Sequence, residues 1–228
     1  MRPRLRHAAF VAVTAAMIVG FTATPAAASH SWNGYHWARS GEARLTILSS
    51  VTSNWSNALS VANSDWNRSA YLQNTVVASS TTSTARQQCA FPSGAIRVCN
   101  FTYGNTGWSG LASIRVTSGN HITTGTAKMN DTFLASADSA KRQGVMCQEV
   151  GHDFGLAHQD ENFTNPNLGT CMDYTNNWST NQHPNTHDYN QLAAQYGNHN
   201  DSTAASRDTA GITTIVTGDV VTLVTWAS

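Results

Sequence analysis

The run Gln148-Glu149-Val150-Gly151-His152-Asp153-Phe154-Gly155-Leu156-Ala157-His158 constrains the fold of this chain more than any other stretch. On a helix turning about 100° per residue, Gln148 and His152 project about 40° apart, so both face one point and can share one metal ion. Glu149 stands at the flank of that face, where a carboxylate reaches a metal-bound water without binding the metal itself. His158 is excluded if the helix continues, because it would lie about 9 Å further along the axis than His152. The chain must therefore turn, and Gly155 is the residue that takes a positive φ at little steric cost, bringing His158 back as a third ligand. The helix is expected to begin near Ser136 or Asp138, either of which can cap it, and to run through Val145, Met146 and Val150 to Phe154.

This run resembles the metzincin signature H-E-x-x-H-x-x-G-x-x-H, with Gln148 in place of the first histidine. Further on, Cys171-Met172-Asp173-Tyr174 is similar to the Met-turn of that family, in the Met-x-Tyr form of astacins and serralysins. The resemblance, to matrixin- and astacin-like secreted peptidases, implies an α+β fold. Its upper lobe would be a twisted mixed β-sheet plus helices, and its lower lobe the active-site helix, the Met-turn and a C-terminal helix. It also implies one catalytic zinc held by Gln148, His152 and His158, with Gly155 and Met172 shaping the site. Peptide bonds would be hydrolysed through a metal-activated water, with Glu149 as general base and Tyr174 stabilising the oxyanion. The partners implied are protein or peptide substrates, held extended by an edge strand within Ser113 to Met129.

Gln148 is the departure from the signature. An amide oxygen is a harder and weaker donor to zinc than an imidazole nitrogen, so metal affinity should fall. Gln and neutral His carry the same charge, however, so the ion would stay a full dication and polarise its water at least as strongly. Two function classes follow: a secreted zinc endopeptidase, and a non-catalytic binding protein on the same scaffold. His121, His183 and His187 are spare histidines, any of which could replace Gln148, although no spacing rule selects one. A polysaccharide-binding role through exposed tryptophans is a more distant alternative.

The compartment is read from the first residues. Arg2, Arg4 and Arg6 precede an uncharged apolar run from Ala8 to Phe21 and the small residues Ala26, Ala27 and Ala28, the pattern of a signal peptide cleaved after Ala28. The run is shorter than the roughly 18 residues of a membrane span, so no membrane anchor is expected. Loss of the three arginines leaves the secreted chain with about three net negative charges and no cationic cluster, a poor match to nucleic acid. Cys89, Cys99, Cys147 and Cys171 are an even set in an oxidising compartment, where three pairings are possible. Cys89–Cys99 with Cys147–Cys171 closes the shortest loops. Cys147 as a zinc thiolate is the weaker alternative, since it points to another side of the helix from His152.

Along the rest of the chain, Trp55, Leu59, Ala62 and Trp66 fall at i, i+4, i+7 and i+11, one face of a core helix. Tyr71 to Phe133 carries β-branched and aromatic runs broken by Gly, Asn and Ser, including Thr75 to Val77, Ala95 to Cys99 and Ile114 to Val116, which read as strands. Pro184 precedes a third helix, His187 to Tyr196. A polar linker near Asn198 to Arg207 leads to two Thr/Val runs joined by Gly218-Asp219, a hairpin signal. The expected organisation is a signal peptide at 1–28, one peptidase-like domain at 29–200, and a linker with a hairpin-like tail at 201–228, acting as a monomer.

Overall fold

A computed structural model describes residues 29–38, 42–197 and 214–227. The N-terminal run read as a signal peptide and the linker near Asn198 to Arg207 lie outside the described residues.

In chain order the elements are β1 (His36–Trp37), β2 (Ala43–Ser50), α1 (Ser53–Trp66), β3 (Leu72–Ala78), α2 (Ser83–Gln88), β4 (Ile96–Phe101), β5 (Trp108–Val116), β6 (His121–Asn130), α3 (Asp131–Leu134), α4 (Ser139–His152), α5 (Thr186–Tyr196), β7 (Thr214–Thr217) and β8 (Val220–Trp226). The helical face read from the spacing of Trp55, Leu59, Ala62 and Trp66 is the buried face of α1. The α1 crossover joins parallel strands β2 and β3, and β2, β4 and β6 continue the parallel run. Beyond β6 the direction reverses, and β5, β8 and β7 pair antiparallel, giving the order β3-β2-β4-β6-β5-β8-β7. The fold is α+β around a mixed sheet.

Two elements depart from the sequence reading. Strand β2 has no counterpart in the sequence reading; every second residue from Ala43 to Ile47 is buried, but Arg44 and Thr46 between them mask the run's apolar content. Helix α2 interrupts the stretch read as strands. Thr82 caps it by accepting from the Ala85 amide, its Ala, Arg and Gln residues favour helix, and Cys89 at φ 45° ends it.

Helix α4 packs across α1 through a close approach at Gly151. A Cβ there would come within 2.6 Å of the Trp66 ring and 2.7 Å of Met172 Sδ. Trp32, Trp37, Trp55, Trp66 and Trp178 are all buried, which removes them from any carbohydrate-binding strip. The C-terminal hairpin turns at Gly218, φ 64°, and belongs to the main sheet, because β8 lies along β5 from Arg115 to Trp108. Among the described residues no helix is long and apolar enough to cross a membrane.

Candidate metal centre

Asp138 caps α4 by accepting from the Lys141 amide at 2.7 Å. At the other end, the Gly155 and Leu156 amides donate back to the His152 and Gly151 carbonyls, closing the helix through a left-handed glycine at φ 88°. A Cβ on Gly155 would collide with the Tyr35 carbonyl oxygen, so the position excludes larger residues by backbone conformation and by space. The N-terminal segment then clamps the returning chain: the Trp32 amide donates to the Gly155 carbonyl, and the Ala157 amide donates to the His30 carbonyl.

The turn brings the ring edges of His152 and His158 together, with their planes near perpendicular and their Nε2 atoms 3.1 Å apart. Each ring is oriented from behind. His152 Nδ1 meets the Leu156 carbonyl at 2.8 Å, and His158 Nδ1 meets Glu161 Oε1 at 2.9 Å. Burial, and the proximity of His158, hold His152 well below the usual histidine range. Burial and nearby His30 bring His158 down to about 3, so both rings are neutral at physiological pH. This donor set fits zinc. Two nitrogen ligands of a tetrahedral zinc stand about 3.3 Å apart, and such ligands are neutral imidazoles with the second nitrogen held by a carbonyl or carboxylate.

Gln148 is fully buried, with both ends of its amide engaged. Its Nε2 donates to the Cys171 carbonyl at 2.7 Å, and its Oε1 accepts from the Thr225 hydroxyl of β8. Glu149 lies against β5, so close to Gly110 that a Cβ there would collide with the carboxylate. Neither of its oxygens makes a well-formed hydrogen bond. Burial pushes the carboxyl up to about 8, with the Thr225 hydroxyl and the Ala112 amide near enough to draw it partly back. One turn on, Asp153 is buried against Gly125 and raised well above the usual carboxylate range by burial and by Glu149. Sequence reasoning passed over Asp153, although its i+4 spacing from Glu149 was the available signal.

Tyr174 leans its ring on His158, centroids 4.3 Å apart and planes tilted by 56°, and donates its hydroxyl to the Val224 carbonyl at 2.9 Å. Burial raises its pKa. Met172 Sδ sits under Gly151, and Cys171, directly before it, is bridged to Cys147 on α4. Cys89 is bridged to Cys99. Of the spare histidines, His183 pairs with Asp65 at 2.6 Å and His121 stands edge-on to His36. His187 stacks on buried His30, whose Nε2 lies 3.0 Å from Asp188 Oδ1. These three residues bring ligand atoms within 4.8 Å of one another, a grouping that no spacing in the sequence announces. The expected substrate edge within Ser113 to Met129 also looks different in place. Strand β6 is interior, flanked by β4 and β5, and the outer side of β5 carries β8.

Fold and site together define an α+β protein built on a helix, a glycine turn and two facing imidazoles. No family model and no curated protein matches the sequence. Among solved structures the chain is similar to high choriolytic enzyme 1, a hatching-enzyme zinc-protease from Oryzias latipes (medaka fish), at 10% identity and TM-score 0.41, covering 71% of this chain and 94% of that one. Myroilysin aligns at 14% identity and TM-score 0.43, over 74% of this chain and 98% of its own. A second myroilysin structure gives 14% identity and TM-score 0.40, over 75% and 87%.

Proposed function

We propose that this chain is a secreted zinc-dependent endopeptidase. The observation that carries the reading is the pair of neutral, back-braced imidazoles whose Nε2 atoms face each other at 3.1 Å. His152 and His158 would hold the ion, with the Gln148 amide oxygen as third donor once Thr225 no longer occupies it. When bound, zinc supplies Lewis-acid polarisation of a carbonyl and of water. Glu149 takes a proton from the attacking water and returns it to the leaving amine. A carboxyl raised to about 8 in a dry pocket is matched to moving a proton near neutral pH. Tyr174 already donates its hydroxyl to a backbone carbonyl, and the same bond to a substrate carbonyl would steady the charge that develops on it.

The reading predicts that zinc-loaded protein cleaves an unstructured protein substrate and that Glu149→Gln abolishes the cleavage while leaving the fold intact. Cleavage that survives the substitution would remove Glu149 from the chemistry. A second reading, a non-catalytic binding protein on the same scaffold, is favoured by the internal engagement of both ends of the Gln148 amide. It predicts peptide binding without turnover at any zinc concentration.

A further inference from the structure

Strand β5 would be the open edge of the sheet if the chain stopped before residue 214, and it is the strand against which Glu149 is packed. Strand β8 takes that edge in full, antiparallel, with partners running from Gly110–Thr225 through Leu111–Val224, Ala112–Leu223 and Ser113–Thr222 to Arg115–Val220. It also reaches three of the residues assigned to the chemistry. The Val224 carbonyl accepts from Tyr174, the Thr225 hydroxyl donates to Gln148 Oε1, and Thr225 pairs with Gly110, the residue that Glu149 packs against. An extended backbone adding to a sheet edge, with one carbonyl under a tyrosine hydroxyl beside two histidines, is what a peptide would do there.

We propose that residues 220–226 occupy the groove along β5 that receives this protein's substrate, an extended peptide of apolar and β-branched residues, and so act as an intramolecular competitor of that substrate. The side chains of Val221, Leu223 and Val224 are at most 2% exposed, so the groove accepts bulky apolar groups on both faces of the strand. The tail is fixed at its far end by Arg115, whose Nη1 donates to both carboxylate oxygens of Asp219 at 2.9 Å on the surface. Exposed pairs of that kind contribute little to stability, whereas a tethered strand has an effective concentration in the millimolar range. A free peptide therefore competes poorly with the tail until the tether is cut. Release of Thr225 would free Gln148 Oε1, and release of Val224 would free the Tyr174 hydroxyl.

This inference rests on the peptide-site reading above, and the test separates the two. A recognition sequence for a site-specific protease is inserted within 199–207 of the full chain. Binding of a fluorescent synthetic peptide with the sequence of residues 218–228 is then measured before and after cutting and removal of the hairpin. The cut, still folded protein is expected to bind the peptide at least tenfold more tightly than the uncut protein. A peptide with proline at the position of Val224, which cannot complete the ladder, should bind at least tenfold more weakly. Val224→Pro in the intact chain is expected to admit the labelled peptide without cutting. Peptide binding with no hydrolysis in the presence of zinc upholds the inference and removes the protease reading. A cut protein that unfolds on losing the hairpin, or a folded cut protein or folded Val224→Pro chain that still excludes the peptide, overturns the inference.

Discussion

Glu149 is a carboxyl buried without a good hydrogen bond, which makes it a source of instability as well as a candidate base. Its folded-state pKa, about 8, lies above the 4.5 of a free glutamate carboxyl. The destabilisation is therefore absent below about pH 4.5, grows as the unfolded chain releases a proton that the folded one keeps, and is complete above about pH 8. The depressed values of His152 and His158 work the other way, removing stability as pH falls below their unfolded value of 6.5. In zinc-free protein, Glu149→Gln should match the parent in denaturant midpoint at pH 4.5 and exceed it at pH 8.5, because the histidine contributions cancel in the difference. Parallel profiles would mean that the carboxylate is solvated. Gln148→His should tighten zinc binding by tenfold or more, since it replaces an amide oxygen already held by Thr225 with an imidazole. Unchanged affinity in a competitive chelator titration would mean that position 148 does not face the ion.

Helix α4 and the loop that follows form one unit, tied by the Cys147–Cys171 bridge and by Met172 seated under Gly151. Replacing both cysteines of that bridge with serine should lower stability by about 3 kcal/mol in urea unfolding, given a separation of 24 residues. A loss below about 1 kcal/mol would show that packing alone holds the loop. What was legible in the sequence at this scale was what is encoded locally. The face of α1 follows from apolar spacing, the Asp138 cap from side-chain chemistry, the turn at Gly155 from the need for a positive φ, and the hairpin from Gly218-Asp219. What escaped depends on distant partners. Strand β2 is defined by neighbours on both sides, α2 is shorter than two turns, and the grip of Thr225 on Gln148 joins residues 77 apart that meet only because β8 pairs with β5.

At the scale of the whole molecule, a chain-terminal strand, a sheet edge and a helix with its glycine turn converge on one small volume. His30 near the start of the described chain backs the histidine turn, α4 carries Gln148 and His152, and β8 near the end reaches Gln148 through Thr225. The proposed function makes this convergence a zinc site, with His152 and His158 as its firmest ligands. The most direct measurement is metal content by native mass spectrometry on the purified chain, alongside a His152→Ala, His158→Ala double variant. One zinc per folded chain is expected, absent from the double variant. A folded parent chain that takes up no zinc at micromolar concentrations, or a double variant that retains the full complement, would contradict it.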